Sequence, residues 1–129
     1  MRLKISSTLL VPLLAESAAS ANEICGLLFG TSEAILHTAQ CRNVAADPAT
    51  MFEIDPALLI AAHKAARAGG PALIGHYHSH PSGDAVPSAR DAEAAMGDGT
   101  LWLILSKTEA RLWRTRAMGA FEEVAIEAC

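Results

Sequence analysis

Aromatic side chains are scarce in this chain: two Trp, one Tyr and three Phe make up 5% of its 129 residues. Basic residues are outnumbered, ten Lys and Arg against fourteen Asp and Glu, for a net charge of −4. A nucleic-acid surface normally shows a basic patch interleaved with stacking rings, so both shortages argue against one. No apolar run approaches the roughly 20 residues that span a bilayer, so no membrane segment is expected. The chain also lacks His-Glu-x-x-His, Cys-x-x-Cys and a Gly-rich phosphate loop. Those gaps argue against helical zincins, the nucleobase deaminase signature, structural zinc ribbons and phosphate-loop nucleotide binding. Cys25, Cys41 and Cys129 are an odd number with no framework spacing, which points to a reducing compartment. Met1-Arg2-Leu3-Lys4 before an apolar stretch has the outline of a secretory leader. Ser6, Ser7 and Thr8 interrupt it, however, and Leu9, Leu10, Leu13 and Leu14 repeat at helical spacing. The reading is therefore a core helix in a cytoplasmic protein.

At 129 residues and 51% hydrophobic, residues 1–129 are expected to form a single domain around one core. Ser6 or Ser7 caps a helix reaching about Ala19. Ile24 to Gly30 and Ala34 to Gln40 read as a hairpin around Thr31-Ser32-Glu33. Arg42 to Thr50 reads as a loop and Met51 to Ile54 as a short strand. Asp55 and Pro56 then open a helix to about Ala68, as N-cap and first-turn proline. Ala72 to His78 forms a strand, Ser88 to Met96 a helix, and Thr100 to Ser106, Arg111 to Arg116 and Phe121 to Glu127 three more strands. The fold class is α+β, with α/β-type layering: a mixed, mostly antiparallel sheet flanked by helices. Arg111, Arg114 and Arg116 read as a solvated sheet surface. Trp102 and Trp113 read as packing residues, and His37 and His63 as ordinary histidines without ligand-spaced partners. Cys25 reads as a small buried hydrophobe.

What is present is chemically pointed. His78 and His80 sit at i and i+2 around Ser79, and on an extended segment such residues share a side. One metal ion can hold both, and a catalytic zinc usually takes three protein ligands. His76 continues the alternation but lies about 13 Å of backbone from His80, at about 3.3 Å per residue. A third ligand from another element is the better reading, and Asp91 supplies it. Ser88 and Asp91 form an S-x-x-D pattern that would also serve as a helix cap; beside a His-x-His pair the ligand reading is preferred. Asp84, four residues after His80, is read as a turn residue.

His78-Ser79-His80-Pro81 followed by Ser88 and Asp91, with Glu23 upstream in Glu-x-Cys-Gly-Leu-Leu-x-Gly, resembles the motif of the JAMM (MPN-plus) metalloproteases. The opening Ile-Ser-x-x-Leu segment and Phe52-Glu53-Ile54-Asp55-Pro56 also fit that family's order. The resemblance implies a cytidine-deaminase-like arrangement of sheet and helices, one zinc ion per chain held by His78, His80 and Asp91, and two catalytic residues. Glu23 would hold the attacking water and carry its proton to the leaving amine. Ser88 would donate to the oxyanion. Ser79 would face away from the metal and support the strand or loop. The implied activity is hydrolysis of the peptide or isopeptide bond after the C-terminal Gly-Gly tail of a ubiquitin-like or β-grasp sulfur-carrier protein. The alternatives are a zinc hydrolase of small amides and a non-catalytic MPN-type binding module. An uncovered sheet edge or helix would allow a homodimer.

Overall fold

A computed structural model describes residues 2–129. Its seven strands form one mixed sheet in the order β1 (Arg2–Ile5), β3 (Ala34–Cys41), β2 (Cys25–Gly30), β4 (Leu73–Ser79), β5 (Leu101–Leu105), β6 (Ala110–Ala117), β7 (Ala120–Ala128). β2 pairs antiparallel with β3 and β4, as β6 does with β5 and β7, whereas β4 and β5 run parallel. β1 lies parallel to both β3 and β7 and closes the sheet on itself. The sequence reading placed no strand there. Arg2-Leu3-Lys4-Ile5 alternates polar and apolar residues, and Leu3 and Ile5 are buried while Arg2 and Lys4 face out, the period-two pattern of a half-buried strand.

Helices cover both faces. α1 (Ser7–Ala19) starts at Ser6, whose hydroxyl accepts the Thr8 N–H at 3.2 Å, satisfying one of the donors a helix start leaves free. Its Leu9, Leu10, Leu13 and Leu14 pack into a cluster with Leu28, Tyr77, Leu103, Leu105, Leu112 and Val124. α2 (Pro56–Arg67), with Asp55 as N-cap and Pro56 in its first turn, covers the opposite face. There Leu59 and Ala62 meet Cys25, Leu27, Cys41 and Leu73. Gly26 lets the two layers close: a Cβ there would run into the Tyr77 ring and the Ala39 carbonyl, so only glycine leaves room for the buried tyrosine.

Two expectations are corrected. Met51 to Ile54 is not a strand, and makes only an isolated bridge between Ile54 and Asn43. The Asn43 side chain takes up the Met51 carbonyl and the Glu53 N–H that a ladder would have used, the competition with regular structure expected of asparagine. The helix after Ser88, α3 (Ala89–Ala94), stops short of Met96. Ala95 is already extended, Met96 bridges to Met118, and Gly97 turns the chain at φ 70°. Among the described residues no helix is long and apolar enough to cross a membrane.

Candidate metal centre

β4 delivers the histidines. His78 lies opposite Cys25 of β2 and Ile104 of β5, fully buried, while His80 follows just past the strand end, its N–H donating to the Leu105 carbonyl at 2.7 Å. The loop from Pro81 to Pro87 is tied to the sheet by the Trp113 indole N–H, which donates to the Ala85 carbonyl at 3.1 Å. It leads to Ser88 and α3. The two readings of S-x-x-D turn out to be compatible. Ser88 Oγ accepts the Asp91 N–H at 3.1 Å and Asp91 Oδ2 accepts the Ser88 N–H at 2.9 Å, a reciprocal capping box. The box aims the Asp91 carboxylate at the histidines.

The three side chains converge tightly. His78 Nε2 and His80 Nε2 are 3.1 Å apart, Asp91 Oδ1 is 3.2 Å from the first, and Asp91 Oδ2 is 3.2 Å from the second. A tetrahedral zinc with bonds of about 2.0–2.1 Å sets its ligand atoms about 3.3–3.4 Å apart. The spacing is therefore close to that of a ligand set around a small ion. The His80 tautomer agrees with it: Nδ1 lies 2.8 Å from the Asp84 carbonyl, which can only accept, so when His80 is neutral its one proton sits on Nδ1 and Nε2 is available to a metal. Asp84 thus contributes its backbone, in keeping with its reading as a turn residue. Phe52 stacks on His78 at 4.2 Å between ring centroids and 15° between planes.

Glu23 enters from the chain just before β2. Its carboxylate and the two histidine nitrogens lie within 4.8 Å of one another. Ser79, wholly buried between the histidines, accepts the Ile24 N–H at 2.8 Å through Oγ and gives its own N–H to the Ile24 carbonyl at 3.1 Å. It therefore faces the β2 entry, where the sequence reading had it supporting the backbone. His76 stays apart. Its ring packs edge-on against Trp102 at 4.4 Å and lies 6.3 Å from the His78 ring.

Burial and neighbouring charge set the protonation states. Burial pushes the Glu23 carboxyl up to about 7. Burial would also raise Asp91, but hydrogen bonds from His78, His80 and the Ser88 N–H outweigh it and hold that carboxyl well below the usual range. Burial drives His76 down to about 3 and lowers His78 as well, keeping both neutral. For His80, burial is more than offset by the hydrogen bonds to Asp91 and the Asp84 carbonyl, which raise it. The Cys25 thiol is pushed up to about 12 by burial, consistent with an inert packing residue.

Beside the cluster lies a cleft of about 90 Å³ lined by Glu23, Thr50, Met51 and Phe52 and by Ser88, Arg90, Asp91 and Ala94. Sequence reasoning missed its Met51–Phe52 wall. Phe52 was noticed only as part of a family pattern, and Asn43, Met51 and Arg90 carry no spacing signal at all.

Residues 9–116 match the family of prokaryotic homologs of the JAB domain. A protein of Pyrococcus furiosus named desampylase is 31% identical over 127 residues, covering 93% of this chain and 90% of that one. Another desampylase, from Haloferax volcanii, is 43% identical over 86 residues. That match covers 65% of this chain and 62% of the relative, so less than two thirds of the Haloferax protein is spanned. The solution structure of a Desulfitobacterium hafniense protein superimposes with a TM-score of 0.81 at 27% identity, covering 100% of this chain and 93% of that one. A match over residues 9–116, supported by near full-length similarity to the Pyrococcus protein, shows that this chain belongs to the family of prokaryotic JAB-domain homologs, the JAMM/MPN proteins.

Proposed function

We propose that this chain is a zinc metallopeptidase that cleaves the peptide or isopeptide bond after the C-terminal Gly-Gly tail of a ubiquitin-like or sulfur-carrier protein. His78, His80 and Asp91 are the zinc ligands in this reading, and Glu23 and Ser88 the catalytic residues, all within one domain spanning 1–129. The observation that carries it is the convergence of two imidazole Nε2 atoms and a carboxylate at 3.1–3.2 Å, with a buried glutamate beside them. A zinc ion there supplies the Lewis acidity that makes water nucleophilic near neutral pH.

The chain's own groups divide the remaining work. The Glu23 carboxylate takes the proton from the attacking water and returns it to the leaving amine. Ser88 Oγ accepts the Asp91 N–H in the helix cap and keeps its hydrogen for the carbonyl oxygen as negative charge builds there. The cleft is small, about 90 Å³, so it favours an extended backbone without side chains. That is the shape of a Gly-Gly tail, and the desampylase name of two relatives supports a protein-conjugate substrate.

The test is zinc content together with cleavage of a β-grasp carrier protein extended beyond its Gly-Gly tail, in native protein and in Glu23→Gln. Both should bind zinc, and the variant should lose at least about 10²-fold in turnover, because it lacks the proton carrier but no ligand. Zinc without cleavage in the native protein would shift the reading to small amides or to a binding module.

A further inference from the structure

Asn43 stands just after the end of β3, in the loop between β3 and α2. Its side chain is the hub of that loop. Nδ2 donates to the Glu23 carbonyl at 2.9 Å and to the Met51 carbonyl at 3.0 Å, with the Pro48 carbonyl at 3.5 Å. Oδ1 accepts the N–H groups of Ala45 and Glu53, both at 3.1 Å. An amide has two N–H donors and one oxygen with two lone pairs, so its capacity is filled. The surrounding carbonyls and N–H groups also fix which end is which, since the flipped amide would face donors with donors.

The groups gathered here are not arbitrary. Glu23 gives its N–H to the Pro48 carbonyl at 2.7 Å and its carbonyl to Asn43, so both of its backbone polar groups are held by the 43–53 loop and neither by the sheet ladder. Met51 and Phe52, from the same loop, form one wall of the cleft, and Phe52 also backs the His78 ring. One amide thus ties together the glutamate, the cleft wall and the stacking partner of His78.

We propose that Asn43 is a positioning residue for hydrolysis, setting the reach of the Glu23 carboxylate by clamping its backbone to the cleft wall. This rests on the assignment of Glu23 as proton carrier. Aspartate at this position keeps the shape but loses both donors and turns a second oxygen toward the Glu23 and Met51 carbonyls. Serine keeps a hydroxyl too short to span them. Misplacing a catalytic group by about 1 Å can cost about 10²-fold, so the clamp should register in rate.

The experiment compares native protein, Asn43→Asp, Asn43→Ser, Glu23→Gln and the two double variants, all zinc-loaded. Readouts are bound zinc, thermal unfolding, and single-turnover cleavage of a carrier fusion extended beyond Gly-Gly. The Asn43 variants should fold, keep stoichiometric zinc and lose about 10- to 100-fold in the cleavage step. In the Glu23→Gln background the same substitutions should cost less than about threefold, since residues acting as one unit are not additive. Native-like rates in the Asn43 variants, an equal loss in both backgrounds, or failure of both variants to fold would each overturn the proposal and leave Asn43 as a loop staple. A fully active Glu23→Gln protein would instead sink the assignment of the base itself, a result read before any Asn43 variant is considered.

Discussion

Close contacts between charged or titratable groups occur in two very different settings in this molecule. On the outer surface of β6 and β7, Arg111 donates two hydrogen bonds to Glu123 at 2.6 and 2.8 Å, and Arg116 two to Glu122 at 2.9 and 3.0 Å. Each pair joins fixed opposite charges, complete in themselves and in water. At the end of β4, Asp91 approaches His78 and His80 at 3.2 Å each, but there Asp91 and His78 are buried, His80 is largely covered, and the two Nε2 atoms face each other at 3.1 Å. Nothing about that arrangement is complete. Two ring nitrogens and a carboxylate point at a common centre, and only protons or a cation placed there balance them. Short polar distances alone therefore do not identify a site; what distinguishes it is burial together with a demand left for something not supplied by the chain.

The sharpest way to break the contrast is to remove the carboxylate. Asp91→Ala should lower zinc affinity by more than about 10²-fold, because losing even a partner behind a ligand typically costs 10- to 100-fold; competition with a chelator of known affinity measures it. Asp84→Ala should retain zinc, since His80 leans on the Asp84 backbone carbonyl and not on its carboxylate. Stoichiometric zinc in Asp91→Ala would hand the third ligand position to another group, with Glu23 in the same 4.8 Å cluster the first candidate.

Stripping the metal gives a second, smaller effect with a definite sign. In the zinc-free protein His80 is raised above 6.5, burial being outweighed by the hydrogen bonds to Asp91 and the Asp84 carbonyl. Its contribution to stability is complete below 6.5 and disappears as pH rises through the raised value. Glu23, raised by burial from 4.5 to about 7, contributes below 4.5 and loses that contribution as pH climbs through about 7. His76 and His78, lowered by burial from 6.5, exert most of their effect below that value. From pH 6.5 to 8 the melting point of the stripped protein should therefore fall. With zinc bound the slope should reverse, because ligands must shed their protons to bind metal and the stabilisation by zinc grows with pH. Parallel slopes in the two forms would contradict the ligand assignment.

What the sequence made legible follows the range of the interactions involved. The Ser6 and Asp55 caps, the Thr31–Glu33 turn and the shared side of His78 and His80 all depend on residues a few positions apart, and the spacing carries them. The closure of the sheet by β1 depends on pairing with β3 and β7, far along the chain, and four residues with two buried apolar side chains are too short a signal to announce it. The approach of Glu23 to the histidines is likewise a matter of register, Cys25 lying opposite His78; without the resemblance to a known motif nothing in the residues would have linked them. The 51–54 stretch misled because its composition suits a strand while a single asparagine side chain outside it had already taken its backbone groups.

The smallest effect belongs to the outer surface and tests the other half of the comparison. Arg116 and Glu122 are more than half exposed, so water can solvate either side chain once its partner is gone, and holding two long side chains in one geometry costs entropy that offsets the attraction. Arg116→Ala should leave zinc binding and cleavage unchanged and shift the melting point by less than the spread between preparations. Whatever difference remains should vanish in about 1 M salt, where charges are screened within about 3 Å. The buried cluster should respond much less, because its charges are out of reach of the screening ions. A clear loss of cleavage in Arg116→Ala with zinc and fold intact would mean that the β6–β7 face touches the substrate, and the surface pairs would then belong to the working part of the molecule.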